Sequence, residues 1–203
     1  MNLADVTEHW PVVSSAELLR SRLITVRADE VRMPDNQLAE REVVLHPGAV
    51  AVLALDDADR ILLIRQYRHP VGRLLWEIPA GLRDVAGEDP LRTARRELVE
   101  EAGYRARDWR VLADYFSSPG YSTERIRIYL ARDLEPVPAA ERDFIPQHEE
   151  AFLLTSWLAL DEAVGKVFAG ELHNGVTALG ILAGYAARSD GFARLRPADA
   201  PEQ

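Results

Sequence analysis

The stretch from Gly81 to Tyr104 constrains this chain more than any other. From about Asp89 to Ala102 the apolar residues Leu91, Ala94, Leu98 and Ala102 recur at three- and four-residue spacing, which predicts a helix with one buried face. Pro90 suits its first turn and Gly103 its stop. On that helix Glu97, Glu100 and Glu101 stand at i, i+3 and i+4, so the three carboxylates share a face. Like charges so placed repel by about 0.2–0.5 kcal/mol per pair even in water, and a cation should offset them. Arg96, four residues before Glu100, can carry part of that load. An all-oxygen cluster without Cys or His suits a hard ion such as Mg2+ or Mn2+ and not zinc. Mg2+ takes one or two carboxylates and completes its shell with substrate phosphates, so a phosphate-bearing substrate is the natural complement. Taken alone, Glu-x-x-Glu-Glu is also the pattern of a solvated acidic helix face.

The rest of the chain supplies strands around this helix. Residues 10–45 read as short strands, with Leu23–Arg27 and Arg41–Leu45 flanking a Pro34-Asp35-Asn36 turn. Ala49 to Leu55 is a buried-strand run that Asp56-Asp57-Ala58-Asp59 turns into a strand from Arg60 to Tyr67. Leu75 to Gly81 is apolar and ends in a Pro-Ala-Gly corner, and further strands fall at Trp109–Tyr115, Arg125–Ala131 and Phe152–Trp157. Helices are expected at Leu160–Ala169 and Gly175–Ala187, with a frayed, Pro/Ala-rich tail from Arg188. The pattern predicts a mixed sheet between helices, α+β in class.

Composition narrows the chemistry. The 203 residues carry no Cys, so disulfides, thiolate nucleophiles and Cys-ligated zinc are excluded. Net charge is −9, which argues against a nucleic-acid partner. Lys166 is the single lysine and has no glycine-rich lead-in, which excludes a P-loop and a Schiff-base enzyme. No apolar run approaches the ~20 residues of a membrane helix, and the acidic start has no leader-like core, so a cytoplasmic protein is expected. His148-Glu149 fails as a zinc-protease motif because Phe152 stands where His is needed, and Gly120-Tyr121-Ser122 fails as a nucleophile elbow because Glu124 replaces Gly.

Glu88, seven residues, then Arg96-Glu97-Leu98-Val99-Glu100-Glu101-Ala102-Gly103-Tyr104 resembles the Nudix hydrolase signature, G-x5-E-x7-R-E-U-x-E-E-x-G-U with U apolar. Six residues, not five, separate Gly81 from Glu88, and Tyr104 fills the closing apolar position. Gln66-Tyr67-Arg68-His69, Trp76-Glu77-Ile78-Pro79-Ala80-Gly81 and Ser118 to Glu124 resemble the ADP-ribose pyrophosphatase branch, whose proline about fifteen residues beyond the signature is matched by Pro119.

The resemblance implies a Nudix fold, an α/β/α sandwich, with residues 46–188 as the hydrolase domain. Residues 1–45 would form an N-terminal β region that pairs across a homodimer, and 189–203 a flexible tail. It implies Mg2+-dependent hydrolysis of ADP-ribose to AMP and ribose 5-phosphate, Mn2+ substituting. Glu97, Glu100, Glu101 and the Ala80 carbonyl would hold metal. Arg96 would orient the acids, and Glu88 would be an outer ligand or a partner of the loop. Glu149 or Glu150 would serve as base, with Glu100 and Glu101 also catalytic, and Arg68, Glu77 and Pro119 would meet substrate. Gly81 and Gly103 support the motif. Trp76 is most simply a packing residue, and the resemblance makes it a candidate pocket wall for adenine. The alternatives are a Nudix enzyme for another nucleoside diphosphate sugar or dinucleotide, and a module that binds ADP-ribose without cleaving it.

Overall fold

Alternate side chains of one strand, Ala49–Ala54, divide the core in two. In the computed structural model, which describes residues 3–85, 87–141 and 153–202, Val50, Val52 and Ala54 join one apolar cluster, and Ala51 and Leu53 the other. A strand buried on both faces reads as an unbroken apolar run. In chain order the elements are β1 (Val12–Arg20), β2 (Thr25–Arg32), β3 (Leu38–Leu45), β4 (Ala49–Ala54), β5 (Arg60–Arg68), β6 (Arg73–Glu77) and β7 (Ala80–Leu82). There follow α1 (Pro90–Glu97), a π-helical turn (Leu98–Ala102), β8 (Tyr104–Phe116), β9 (Arg125–Pro136), β10 (Leu154–Ala159), α2 (Leu160–Phe168), α3 (Gly175–Arg188) and β11 (Arg196–Pro197). No helix among the described residues is long and apolar enough to cross a membrane.

The chain divides into two compact units, residues 1–47 with 118–124, and residues 48–117 with 125–203. In the first, β1, β2 and β3 form an antiparallel sheet. Its β2–β3 turn closes where expected, with Met33 N–H donating to Gln37 O at 2.8 Å and Asn36 at φ 65°. The Ser118–Glu124 loop joins this sheet through Val44, whose N–H donates to Tyr121 O at 2.7 Å.

The second unit is layered as expected. A five-stranded sheet, β11-β8-β9-β4-β7, carries one parallel pair, β4 with β9. Ala94, Leu98 and Ala102 of α1 and the π turn pack on the Val50 and Val52 side. Leu160, Ala163 and Ile181 of α2 and α3 pack on the Ala51 and Leu53 side. The sheet is divided where a single mixed one was expected. β5 touches β4 through one bridge, Leu55 to Ile61, and its two edges pair with β6 and β10 as a separate three-stranded sheet.

Two further expectations are corrected. The signature helix changes to a π turn at Leu98, so the acids do not lie on one regular α-helix. The tail is docked, not frayed: β11 pairs with β8, and Ala198 and Ala200 pack on the α1-side core. Buried Arg127 accounts for this, because its Nη1 and Nη2 donate to Ala200 O and Pro201 O at 2.7 and 3.3 Å.

Candidate active site

The signature helix starts at Asp89, whose side chain accepts a hydrogen bond from Leu91 N–H at 2.7 Å, with Pro90 at the first helical position. It ends at Gly103, which adopts φ 72° and donates its N–H to Val99 O at 3.0 Å. The wider π turn between them carries Glu100 and Glu101, and π turns concentrate at functional sites.

Glu97 points from the last turn of α1 into β7. A Cβ placed on Gly81 would stand 2.0 Å from Glu97 Cδ and 2.1 Å from its Oε1. Gly81 is therefore the gap the Glu97 carboxylate occupies, the close approach that a lone strand glycine often marks. Arg96 gathers the acids, its Nη1 lying 2.8 Å from Glu97 Oε1 and 3.1 Å from Glu100 Oε2. Its Nη2 is 3.7 Å from Glu88 Oε2, which also accepts from Thr93 Oγ1 at 2.9 Å. Burial works against the Arg96 charge, but Glu97, Glu100 and Glu88 outweigh it and raise the guanidinium pKa. Glu88 thus sits as a loop partner of Arg96 at the start of the helix.

Glu101 is held against the start of β7. Its Oε2 accepts from Ala80 N–H at 2.8 Å. Burial pushes its pKa up to about 8, and Glu97 and Glu77 push it the same way, against the pull of the Ala80 N–H and Arg68. Arg68 of β5 forks onto Glu77 of β6, with Nε 2.9 Å from Oε1 and Nη2 2.6 Å from Oε2, and Glu77 is 1% exposed.

These groups face one cleft of about 350 Å3, lined by Gln66, Arg68, Ala80, Gly81, Leu82, Asp84, Arg96, Glu97, Glu100 and Glu101. The sequence reading missed Gln66 and Asp84. Gln66 had a signal, since it stands two residues before Arg68 and so on the same side of β5. Asp84, in the loop after β7, had none. Glu77 reaches the cleft through Arg68. Trp76 packs on the core with the Arg65 guanidinium 5.5 Å from its ring centre. Pro119 belongs to the loop that joins β3, in the first unit. Glu149 and Glu150 lie outside the described residues.

Among the described residues no three His, Asp or Glu side chains converge into a ready-made cage for an ion. The donors are nevertheless all oxygen, and the Glu101 carboxyl is held without enough positive charge to ionise readily. Such a site suits a hard cation that keeps part of its shell for waters and phosphate oxygens.

Comparison with known proteins agrees with this geometry. The NUDIX domain matches residues 45–176, and the nucleoside diphosphate sugar hydrolase N-terminal domain matches residues 10–44. An ADP-ribose pyrophosphatase of Mycobacterium tuberculosis is 45% identical over 195 residues, covering 96% of this chain and 92% of that protein. An ADP-ribose pyrophosphatase of Bacillus subtilis is 34% identical over 83% of this chain and 89% of that one. A crystal structure of an ADP compounds hydrolase shares the fold at TM-score 0.76 and 23% identity, covering 93% of this chain and 99% of that chain. With the signature acids converging on one cleft and the domain match spanning most of the sequence, the chain belongs to the Nudix hydrolase family.

Proposed function

We propose that the protein hydrolyses the pyrophosphate bond of ADP-ribose, giving AMP and ribose 5-phosphate, in a reaction that requires Mg2+ or, in its place, Mn2+. The observation that carries this reading is a cleft lined both by the acids Glu97, Glu100 and Glu101 and by the guanidinium of Arg68. A pyrophosphate needs both: carboxylates to hold a cation against its oxygens, and a planar fork to bind them directly. The substrate within that class follows the relatives of M. tuberculosis and B. subtilis, both named ADP-ribose pyrophosphatases.

Glu97, Glu100, Glu101 and the Ala80 carbonyl would hold the metal, which when bound neutralises phosphoryl charge and lowers the pKa of an attacking water. Arg96 keeps Glu97 and Glu100 oriented. The Ala80 N–H fixes Glu101. Glu77 locks the plane of Arg68, so the fork meets phosphate in one orientation. Glu149 or Glu150 would take the proton of the water, which adds to one phosphorus while the bridging oxygen leaves with the other.

The same reading extends to a cytoplasmic homodimer. β1 is exposed along its whole length, with Val12, Val13, Leu18 and Leu19 each about half exposed, and a second copy would cover it. Light scattering on the purified protein should give twice the chain mass.

The functional test is product analysis with ADP-ribose, GDP-mannose, NADH, UDP-glucose and diadenosine polyphosphates, with and without Mg2+ or Mn2+. Metal-dependent AMP and ribose 5-phosphate, formed fastest from ADP-ribose, is the expected result. Faster cleavage of another compound moves the substrate and keeps the chemistry. Tight ADP-ribose binding without cleavage of any compound overturns the hydrolase reading.

A further inference from the structure

A second charged cluster lies beyond the cleft. Arg127 Nε is 2.7 Å and Arg196 Nη2 2.9 Å from oxygens of Asp114, and Glu202 accepts from Arg83 Nη1 at 2.9 and 3.1 Å. The sheet register connects this cluster to the site. Asp114 of β8 faces Arg127 of β9, Arg127 pairs with Val50 of β4, and Val50 pairs with Gly81 of β7. That row ends at the glycine against which the Glu97 carboxylate packs.

The segment after β11 bridges the same strands. It starts on β8 at Arg196 and Pro197, passes Arg127 with its Ala200 and Pro201 carbonyls, and reaches the loop after β7 with Glu202. Ala200 N–H donates to Pro197 O at 3.0 Å, so the segment crosses with a turn between those two residues. Arg83, the residue it grips, stands between Leu82 and Asp84, both of which line the cleft. Its two anchors differ in kind. Arg127 is 3% exposed and ties the middle of the segment to the core. Arg83 and Glu202 are each 23% exposed, so their pairing adds little to global stability, and the Glu202 carboxylate also lies 4.0 Å from Arg127 Nε.

We propose that Glu202 is a positioning residue: through Arg83 it holds the Leu82–Asp84 rim of the cleft in the arrangement that accepts the pyrophosphate. The proposal rests on the hydrolase reading for its kinetic consequence but not for its structural one. An unheld rim must order itself when substrate binds, so apparent affinity falls with the fraction of molecules already ordered while the chemical step is spared.

The test uses Glu202→Gln, Arg83→Gln and the double variant, read by steady-state kinetics, thermal melting and backbone amide exchange. Each single variant should raise KM about 3–5-fold with kcat within about twofold. Each should also speed exchange at residues 82–85 while the melting temperature moves by less than about 2 °C. The double variant should be no worse than Glu202→Gln, because Arg83→Gln removes a contact already lost there. Unchanged exchange at 82–85 in Glu202→Gln overturns the proposal. So do KM effects that multiply in the double variant, or a loss of kcat that follows a fall in melting temperature. If the wild-type protein does not turn over ADP-ribose, the functional reading fails, and the exchange arm still decides whether Glu202 holds the rim.

Discussion

Gly81→Ala is the sharpest perturbation of the site, because it adds one methyl at a position where backbone conformation is not at issue. Gly81 does not adopt the left-handed φ that Gly48, Gly87 and Gly103 do, so an alanine is not strained by its own main chain. The methyl would instead stand 2.0 Å from Glu97 Cδ, 2.1 Å from Oε1 and 2.3 Å from Cγ, all far inside contact distance. β7 is hydrogen-bonded along β4, with Gly81 opposite Val50, so the side chain must give way. Glu97 is 9% exposed and tied to Arg96 at 2.8 Å, so it cannot swing out freely. Overpacking of this kind costs about 1–3 kcal/mol, which for a chain of this length lowers the melting temperature by roughly 2–10 °C. Activity should suffer far more. Displacing a metal-holding carboxylate, or the group that orients it, typically costs about 10–100-fold in metal affinity or turnover. Melting curves, kcat/KM for ADP-ribose and the Mg2+ concentration for half-maximal rate would be measured together. The expected pattern is a folded protein with kcat/KM down by about 10–100-fold and a raised Mg2+ requirement. Turnover within twofold of wild type, in a protein that still melts cooperatively, would refute the placement of Glu97 as a functional group.

Glu101→Gln keeps the shape and the acceptor for Ala80 N–H but cannot ionise, so it should abolish most turnover without unfolding the protein. Wild-type Glu101 has its folded pKa raised from 4.5 to about 8, so its stabilising contribution is complete below pH 4.5 and is lost as pH climbs through about 8. In chelator, the wild-type melting temperature should therefore fall more steeply between pH 5 and 9 than that of Glu101→Gln. Parallel slopes would remove Glu101 as the titrating group. Asp114→Asn leaves Arg127, 3% exposed, without its close carboxylate, and breaking a buried pair costs about 3–5 kcal/mol, read by chemical denaturation. A loss under about 1 kcal/mol would mean that the carbonyls of Ala200 and Pro201 suffice for that guanidinium.

Local order was legible wherever a short-range rule governs it. The spacing of Leu91, Ala94, Leu98 and Ala102 placed the helix, Pro90 and Gly103 bounded it, and the Pro34-Asp35-Asn36 turn closed its hairpin. What escaped was settled by distant partners. β5 follows β4 through a tight turn, yet pairs with β6 and with β10, almost ninety residues later, and no local pattern records which strand takes an edge. The segment after Arg188 has the composition of a loose end. It is held because Arg127, more than seventy residues earlier in the chain, is buried and needs acceptors. The π turn is equally silent, since lengthening the hydrogen-bonded ring by one residue leaves the same acids near one another.

The site shows how an acid cluster is tolerated before any cation enters. Glu97, Glu100 and Glu88 share Arg96, and Glu77 has Arg68. Arg92 Nε adds a third guanidinium 3.6 Å from Glu88, so five signature and wall carboxylates, counting Glu101, are set against three guanidiniums. Burial, helped by Glu97 and Glu77, raises the Glu101 pKa from 4.5 to about 8. At neutral pH Glu101 therefore favours its protonated form. A divalent ion held by Glu101, as proposed, would have to displace that proton, so binding would release acid and tighten as pH rises toward 8. The sequence motif shows that carboxylates gather here. Only the structure shows that Glu101, held on the Ala80 N–H, is the acid whose burial raises its pKa.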